Sequence, residues 1–458
     1  MTYFEIPNVV MDINKKAKTN KIVPLSEAEA KTLQRMFSGS IVIDYLTGGG
    51  YGYARQHLLY GAKSSGKNAS LNQLMAFNQR LCRNCHGIRQ DFYSSPQLDY
   101  WTSFLKEIML FPECQCDAPS AKKFLILDYE KSISKEKPRI EIIKKYLRKT
   151  KDGEAYIDGL DYSDAQINLD NLKEKEELTD EERKTIKDME AFLNSITIEE
   201  ERIVHQPTTD YLRDCGVLIN ELLIADPEDT EEGIEICRDM VESKEVDGII
   251  WDSLQAALPK WVKERDADAD TMGKEAKQNG LLLRHICSKF AAKDLKDPQE
   301  AYKAAVFITS QMRSNLSSFY GVDTYSGGHA VKHHMALALE FKRLMFISND
   351  GNEATSKNGK EYFGQLIKLR AEKNKLAPPE TKSETDYYFK SGEGCLIGLD
   401  HAKEILTIGV YLNIIDLAGA WYSVEGERLG QGKANAAAAL RNPEFASRIY
   451  AKIKEKLN

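Results

Sequence analysis

The chain has 458 residues, of which 42% are hydrophobic and 29% are charged, and its formal net charge is −7. This length is enough for more than one domain, and the composition is that of an ordinary globular protein. No apolar run is long enough to cross a bilayer and residues 1–20 contain no signal-peptide core, so we expect a cytoplasmic protein without membrane contact. The negative charge excludes a uniformly basic nucleic-acid binder but leaves room for a local binding groove.

Residues 1–37 are predicted to be an N-terminal appendage with one short helix. Ser26 precedes Glu29 by three positions, which is the capping-box pattern at the start of a helix. Two interpretations stay open: a helix that packs on its own chain, or an arm that binds a neighbouring subunit and drives oligomerisation. The next segment, Ser38–Tyr53, is predicted to be a strand closed by a glycine-rich turn.

The segment Gly61–Asn68 reads Gly-Ala-Lys-Ser-Ser-Gly-Lys-Asn and follows a short apolar strand at residues 56–60. It matches the phosphate-binding pattern G-x-x-x-x-G-K, in which loop N–H groups, a helix N-terminus and the lysine bind phosphate. The eighth position should be Ser or Thr, whose hydroxyl ligates Mg2+, but it is Asn68. The expected nucleotide contacts are Gly61, Ser64, Ser65, Gly66, Lys67, Asn68 and Ala69.

Three continuous apolar segments predict strands that are buried on both faces of a parallel sheet. They are residues 124–127, 248–251 and 305–308. Polar residues follow each strand at its carboxyl end, where ligand sites of open α/β sheets lie. Glu130 is a candidate for activating water, Asp252 for holding Mg2+ and Gln311 for sensing a terminal phosphate. Taken alone, the acids after the first strand are more typical of helix caps.

Longer stretches of sequence carry a family resemblance. They are ADPEDTEEGIEIC, EVDGIIWDSLQAALPK, MGKEAK and ITSQMR within Ala225–Arg313, then SGGHAVKHH (Ser326–His334), EKNKLAPP (Glu372–Pro379) and AGAWYSVEGERLGQGKANAAAAL (Ala418–Leu440). In this order they resemble the bacterial RecA recombinase family. The resemblance implies an α/β fold with a RecA-like P-loop ATPase core and a mainly parallel twisted sheet. It also implies a core at 38–395 and a small α+β C-terminal domain at 396–458, and we interpret residues 1–37 as an N-terminal oligomerisation arm. In the C-terminal domain, Gln431–Lys433, Arg441 and the final lysines predict a gateway for duplex DNA, with simple surface charge as the alternative.

The resemblance also implies roles for individual residues. Asp252 would serve Mg2+, and the residues that would act in ATP hydrolysis are Glu130, Lys67, Gln311, Lys373 and Lys375. Gln311 would couple the nucleotide state to DNA. The lysines at 373 and 375 would reach across a filament interface to the γ-phosphate held by the neighbouring subunit, as arginine fingers do in other NTPases.

Two loops, residues 263–272 and 312–326, would line a DNA channel. The first is acidic, which suits a solvated loop better than a phosphate contact. The second offers a basic group and aromatic rings that can contact bases or wedge between them, and an exposed loop without DNA contact is the alternative. The implied DNA contacts are Met272, Arg313, Asn315, Phe319, Tyr320, Gly327 and Gly328.

The chain departs from the family pattern at two positions of the nucleotide site. Asn68 offers Mg2+ an amide oxygen instead of a hydroxyl, so we expect slow hydrolysis with phosphate binding retained. The tyrosine that stacks on adenine in the family has no match in residues 131–137.

An insertion at 81–122 contains two pairs of closely spaced cysteines. Cys82 and Cys85 form one pair, and Cys114 and Cys116 form the other. Paired thiols on two short turns are typical of a tetrahedral structural Zn2+ site, and disulfides are disfavoured in the cytosol. The alternatives are four free buried cysteines, or a site in which His86 replaces one cysteine.

A second insertion, at 141–203, is rich in Glu, Asp and Lys and is predicted to be acidic and helical. Its helical pattern, with Ile186, Met189 and Phe192 on one side, is typical of a solvated amphipathic helix. A docking surface for a partner protein is the alternative.

The sequence as a whole predicts an ATP-dependent recombination and DNA-repair protein. It would form a homo-oligomeric helical filament on single-stranded DNA, pair that strand with double-stranded DNA and use ATP and Mg2+, with Zn2+ as a structural metal. The insertions indicate a divergent member from a bacterium or from a phage in an infected bacterial host. One alternative is a nucleotide-binding DNA filament scaffold or mediator with weak or no ATPase activity, and a hexameric helicase is a further one.

Overall fold

The structure is a computed structural model. It describes residues 35–90, 96–131, 133, 139–150, 153–157, 166, 168–169, 172–173, 179–205, 207–263, 304–313, 324–325, 331, 333–349, 351–355, 360–392 and 396–457. The predicted N-terminal arm lies outside the described residues except for its last three positions. Most of the two predicted DNA loops also lies outside them.

The strands, in chain order, are β1 (Arg35–Met36), β2 (Tyr51–Gly52), β3 (Gln56–Gly61), β4 (Phe124–Asp128), β5 (Arg139–Thr150), β6 (Gly153–Ile157), β7 (Ile196–His205), β8 (Leu222–Ala225), β9 (Gly248–Asp252), β10 (Ala305–Arg313), β11 (Thr324–Tyr325), β12 (Leu337–Ile347), β13 (Gly364–Asn374), β14 (Lys382–Tyr388), β15 (Gly398–Leu399), β16 (Asp416–Ala418), β17 (Trp421–Val424) and β18 (Glu427–Gln431).

The α-helices, in chain order, are α1 (Ile41–Thr47), α2 (Lys67–Asn78), α3 (Pro96–Ser103), α4 (Asp180–Asn194), α5 (Pro207–Asp214), α6 (Thr230–Ser243), α7 (Lys260–Lys263), α8 (His401–Tyr411), α9 (Lys433–Ala439) and α10 (Pro443–Leu457). A π-helical turn, Phe104–Ile108, continues α3, and a short 3-10 turn, Ile219–Glu221, precedes β8.

One large sheet organises the protein. Within the described residues its strand order is β15-β14-β13-β12-β3-β10-β9-β4-β8, with β11 paired to the far end of β10. The strands from β12 to β8 are parallel, and β13, β14 and β15 extend the sheet as antiparallel strands. The carboxyl ends of β3, β4, β9 and β10 therefore meet at one edge, as expected for a doubly wound α/β sheet. The predicted fold class is confirmed.

The central strands are apolar because both of their faces are covered. Every residue of β4 and β9 is buried, and so are Val306 and Ile308 of β10. Continuous burial of this kind separates a central parallel strand from an alternating surface strand. The three predicted strands are present at the predicted positions.

The prediction of a strand in Ser38–Tyr53 is wrong for its first half. Residues Ile41–Thr47 form helix α1, with the Ser40 side chain accepting a hydrogen bond from the Ile43 N–H. The isoleucines and valine that favour a strand are buried by tertiary packing, which overrides their local propensity. The distant Glu404 also accepts the Ile41 N–H at 2.8 Å, and no local pattern reveals that contact.

The chain divides into two compact units, residues 133–210 and the remainder. In the smaller unit β5 pairs with both β6 and β7, and α4 begins with a capping box between Thr179 and Glu182. The predicted helix is therefore present, but the prediction that the insertion at 141–203 is helical misses its three strands. The strands were missed because β5 and β7 are rich in charge and pair over a long distance, from Arg139 to His205.

The residues after β15, from His401 to Leu457, form a small C-terminal domain of mixed α and β structure. Helix α8 leads into the antiparallel sheet β16-β17-β18, and helices α9 and α10 follow. Val424, Leu429, Ala436 and Ile449 are among its buried residues. This arrangement is the small α+β domain that the sequence predicts.

Replacing Glu404 by Ala should destabilise the protein by about 3 kcal/mol, because it removes the acceptor of a buried network. Glu404 accepts hydrogen bonds from the Ser40 hydroxyl at 2.6 Å, the Thr385 hydroxyl at 2.6 Å and the Ile41 N–H. Urea unfolding measures the change. The exposed Glu455→Ala serves as control, and equal stability of the two variants would contradict the prediction.

Candidate nucleotide site and cysteine cluster

The phosphate loop joins β3 to α2, and its two glycines are required by close contacts. A side chain at Gly61 would lie 2.1 Å from the Phe341 carbonyl oxygen of the neighbouring strand. Gly66 has φ +103°, and a side chain there would lie 2.4 Å from the Ile367 Cδ1. A side chain at Gly61 would therefore push the loop away from the neighbouring strand, and at Gly66 the φ of +103° strains any other residue. The structure thus explains why the pattern needs both glycines.

Lys67 begins α2 and folds back over the loop. Its Nζ donates to the carbonyl oxygens of Gly61 at 3.1 Å and Ala62 at 2.8 Å. Burial lowers the pKa of Lys67, and the carboxylates of Asp252 and Glu130 act in the opposite direction. A buried ammonium group at the N-terminus of a helix is suited to binding an anion.

Ser65 supplies a test of whether a phosphate fits this loop. Its hydroxyl is buried and has no hydrogen-bond partner among the described residues. A buried unpaired hydroxyl is unfavourable, and a phosphate oxygen in the loop would satisfy it. The loop residues therefore fit a phosphate group.

Asp252 ends β9 and links three elements. Its Oδ1 accepts from the Thr309 hydroxyl of β10 at 2.6 Å, and its Oδ2 accepts from the Asn68 amide of α2 at 2.9 Å. Burial raises the pKa of Asp252, and the hydrogen bond from Thr309 opposes that rise. Asn68 thus stands beside the acid that would hold Mg2+, although its NH2 group faces the carboxylate in this structure.

Glu130 and Gln311 are tied to the same edge through residues that the sequence did not single out. Ser253 donates to the Glu130 carboxylate at 2.6 Å. Gln255 donates to the Ser310 hydroxyl at 2.8 Å and to the Gln311 carbonyl oxygen at 2.9 Å. Ser253 and Gln255, the first and third residues after Asp252, therefore connect the carboxyl ends of β4 and β9 with the last part of β10. In the sequence, the polar residues that closely follow Asp252 were the only sign of this linkage.

These side chains surround one pocket of about 530 Å3, the phosphate-loop pocket. The predicted residues that line it are Ser64, Ser65, Gly66, Lys67, Asn68, Ala69, Glu130, Asp252 and Gln311. Gly61 begins the same loop. The structure thus brings together side chains from four separate stretches of the chain.

The other wall of the pocket is aromatic, and sequence reasoning missed it. It consists of Tyr211, Phe346, Tyr387 and Phe389. The hydroxyls of Tyr211 and Tyr387 lie 3.3 Å apart, and the Arg343 guanidinium lies 4.5 Å from the centre of the Phe346 ring. Planar aromatic faces of this kind can stack on a purine. The run Tyr387-Tyr388-Phe389 was the available signal.

Lys373 and Lys375 do not lie at the phosphate-loop pocket. On β13, Lys373 pairs in register with Ala338 of β12. Gly61 pairs with Phe341 of β12, which pairs in turn with Leu369 of β13, so Gly61 lies level with a residue four positions before Lys373. That separation is about 13 Å along the sheet. The Nζ atoms of both lysines instead approach the His333 carbonyl oxygen, at 3.1 and 3.4 Å.

Among the predicted DNA contacts, only Arg313 belongs to the described residues. It ends β10 and pairs in register with Thr324 of β11. The others lie outside the described residues: Met272, Asn315, Phe319, Tyr320, Gly327 and Gly328. Their assignment stays a prediction.

The four cysteines of the first insertion form one cluster, and their Sγ atoms all lie within 4.8 Å of one another. The Sγ atoms of Cys85 and Cys114 are 3.4 Å apart, and those of Cys82 and Cys116 are 3.9 Å apart. A tetrahedral Zn2+ with its usual bonds to sulfur separates the sulfurs by roughly 3.8 Å. The donor set therefore fits Zn2+, and His86 is not a member of the group.

The fold and the pocket define an α/β protein whose glycine-rich loop, which fits a phosphate group, lies at the carboxyl edge of a parallel sheet. Its residues 195–394 match the model of the RecA N-terminal domain, and residues 403–458 match that of the RecA C-terminal domain. The chain belongs to the RecA family of recombination and DNA-repair proteins. The phosphate loop and Glu130 lie before the matched region. Within the part of the chain that the structure describes, no helix has the length and hydropathy needed to cross a membrane.

The relatives agree with this family. The chain is 33% identical to Protein RecA of Desulforapulum autotrophicum over 255 residues, which is 55% of the chain and 67% of the relative. It is 31% identical to Protein RecA of Acidothermus cellulolyticus over 255 residues, again 55% and 67%. Against Protein RecA of Colwellia psychrerythraea it is 32% identical over 247 residues, 54% and 65%. The chain thus spans about two thirds of each relative.

Replacing Gly66 by Ala should abolish binding of inorganic triphosphate, because alanine rarely adopts the φ of +103° at this position and the loop N–H groups shift when it relaxes. Isothermal titration calorimetry measures the affinity. Gly426→Ala is the matched control, since Gly426 also has positive φ (+83°) but no atom lies within 4 Å of its added side chain. Unchanged binding in Gly66→Ala would contradict the phosphate site.

Proposed function

We propose that this protein is an ATP-dependent homologous-recombination protein that forms helical filaments on single-stranded DNA and pairs that strand with homologous duplex DNA. The observation that carries the proposal is the convergence of the phosphate loop, Asp252 and Glu130 on one pocket in a chain of the RecA family. Its proposed location is the cytoplasm of a bacterium or of an infected bacterial host.

In this proposal the residues of the phosphate-loop pocket have separate roles in ATP hydrolysis. Lys67 and the loop N–H groups would bind the phosphates, and Asp252 with Asn68 would hold Mg2+, whose positive charge would stabilise the negative charge of the phosphates. Glu130 orients the attacking water and accepts its proton. The aromatic wall binds the base in this proposal, in place of the tyrosine that residues 131–137 lack.

Two lysines complete the site from a second subunit. Lys373 lies about 13 Å along the sheet from the level of Gly61, and Lys375 lies two residues further along the chain, so their own pocket is out of reach. In a filament each pair would meet the pocket of the neighbouring chain and stabilise the charge on its γ-phosphate. Because ATP then bridges two subunits, hydrolysis would loosen the interface and lower the affinity for DNA.

DNA recognition in this proposal is mostly independent of sequence. Gln311 follows the core of β10, and Gln255 ties its backbone to the residues after Asp252. A change at the γ-phosphate would therefore pass directly to the DNA loop that begins at Met312. Base pairing between the two DNA strands supplies the specificity, while the protein holds the backbone.

The cysteine cluster is proposed to hold a structural Zn2+ through Cys82, Cys85, Cys114 and Cys116. The insertion that carries it has few strands of its own, and its turns are linked mainly by isolated bridges such as Cys82 with Ala121. A metal crosslink gives so small a segment the stability that its core cannot supply. Arg83, next to the cluster, pairs with Asp247 at 3.1 Å and so joins the insertion to the start of β9.

A second candidate function is a nucleotide-binding DNA scaffold or mediator with weak or no ATPase activity. Asn68 favours it, because an amide stands beside Asp252 where the phosphate-loop pattern has the hydroxyl that ligates Mg2+. ATP turnover with and without single-stranded DNA separates the two functions. The absence of DNA-stimulated turnover at any Mg2+ concentration would overturn the recombinase proposal.

Asn68→Ser should raise the DNA-stimulated kcat by about tenfold, since a hydroxyl restores the usual Mg2+ ligand and frees Asp252 from the amide. It should also lower the Mg2+ concentration at half-maximal rate. Asn72→Ser, one turn further along α2, is the control and should change neither value. A lower rate in Asn68→Ser would show that the amide is the better ligand in this site.

Mixed filaments test whether the site is shared. Glu130→Gln and the double variant Lys373→Ala, Lys375→Ala should each lose turnover, but an equimolar mixture should recover roughly a quarter of the wild-type rate. One interface in four then combines an intact Glu130 with intact lysines from the neighbour. A mixture as inactive as its components would show that the lysines act within their own chain. Lys382→Ala, on an exposed position of β14, is the control.

Cys82→Ser combined with Cys85→Ser should abolish stoichiometric Zn2+ and lower the midpoint of thermal unfolding, because two of four ligands are lost. Elemental analysis and differential scanning calorimetry provide the measurements. Cys237→Ala, a buried cysteine of α6 outside the cluster, should retain Zn2+. A metal-free wild-type protein would end the zinc proposal.

A further inference from the structure

Gln365 of β13 lines the phosphate-loop pocket but has no role in the mechanism above. The residue is only 6% exposed, and its side chain belongs to the wall of the pocket. A side chain added at Gly66 would come within 3.3 Å of the Gln365 Nε2, so the amide lies directly beside the phosphate loop.

The Gln365 amide is unpaired and open to the pocket. Among the described residues, none donates a hydrogen bond to it or accepts one from it. Unlike the Ser65 hydroxyl, neither of its amide atoms is enclosed by protein. A ligand in the pocket can therefore reach both the amide oxygen and the NH2 group.

The register of β13 places this amide within the aromatic wall. Gln365 pairs directly with Phe346 of β12 on one side and with Tyr387 of β14 on the other. Residues that pair directly across antiparallel strands project from the same face of a sheet. The amide thus stands between two rings of the wall, in the part of the pocket where the proposed function places the base.

The other polar side chains of this wall already have partners. The hydroxyls of Tyr211 and Tyr387 lie 3.3 Å apart. The Arg343 guanidinium donates to the Ser64 carbonyl oxygen at 3.5 Å and has no acceptor atom of its own. Of the described side chains in the wall, Gln365 is thus the one that offers a ligand both an unpaired donor and an unpaired acceptor.

A carboxamide selects a ligand edge that has a donor beside an acceptor, because it presents a C=O group next to an NH2 group. A phosphate group would satisfy the NH2 group but would place a second acceptor opposite the amide oxygen. Adenine has the matching edge, since its 6-amino group lies beside a ring nitrogen that accepts. Glutamine reads this edge of adenine through two hydrogen bonds in protein–DNA complexes.

We propose that Gln365 selects the adenine base of the bound nucleotide. Its amide oxygen accepts from the 6-amino group, and its NH2 group donates to the neighbouring ring nitrogen, N1 or N7. This assignment rests on the proposed function, because it requires that the phosphate-loop pocket binds a nucleotide. The chain would then recognise the base from β13, which compensates for the adenine-stacking tyrosine that residues 131–137 lack.

Purine riboside 5′-diphosphate is the matched probe, because it is ADP without the 6-amino group. Isothermal titration calorimetry with the full chain and Mg2+, without DNA, measures both affinities. We expect ADP to bind at least about tenfold more tightly, which corresponds to about 1.4 kcal/mol. Equal affinity would overturn this proposal and leave the nucleotide site in place. If ADP does not bind, this proposal fails, and inorganic triphosphate shows whether the phosphate site fails with it.

Gln365→Met keeps a similar side-chain volume and removes both polar atoms. It should weaken ADP binding by at least about tenfold and abolish the preference over purine riboside diphosphate. Binding of inorganic triphosphate should not change, because that probe has no base. The exposed Gln90→Met is the control and should alter none of these affinities.

Two results with the Gln365→Met variant would overturn the proposal. Wild-type affinity for ADP would show that the amide does not contact the nucleotide, and weaker binding of triphosphate would assign the amide to a phosphate. 2′-Deoxy-ADP tests the ribose: it should bind the wild-type chain as ADP does, and a loss that Gln365→Met abolishes would assign the amide to the 2′-hydroxyl instead. The comparison of ADP with purine riboside diphosphate uses the wild-type chain, so it decides the proposal even if the variant does not fold.

Discussion

The structure depends on the burial of Asp252 at the carboxyl end of a fully covered strand. A carboxylate in that place needs donors, and it receives one from Thr309 of β10 and one from Asn68 of α2. These two bonds fix the phosphate-loop helix against the neighbouring strand ends. Ser253 and Gln255 extend the same linkage to Glu130 and Gln311. The geometry of the pocket is thus a consequence of satisfying one buried acid.

The large sheet places the phosphate loop and the lysines Lys373 and Lys375 at opposite edges. Parallel strands bring the phosphate loop and the acids to one edge, whereas the antiparallel turn from β12 to β13 carries Lys373 and Lys375 back to the other. Each chain therefore carries the two lysines at one edge of the sheet and the phosphate-loop pocket at the other edge. Repetition of a head-to-tail contact between them generates a helical filament when it does not close. The proposed assembly therefore follows from strand direction.

The insertions are stabilised by different means. The first is linked to the core through Arg83 and Asp247 and collects four sulfurs in one place. The second forms its own compact unit, in which the long pair β5 and β7 supplies the framework.

The sequence by itself determined the elements whose signal is local. The G-x-x-x-x-G-K loop, the apolar runs of β4, β9 and β10 and the cysteine pairs each need only neighbouring residues to be recognised. Tertiary structure decided the rest, because contacts between distant residues override local preference. Glu404 helps to hold α1 where β-branched residues favour a strand, β5 finds β7 far along the chain, and the aromatic wall joins Tyr211 to Phe389. No window of sequence contains both partners of such contacts.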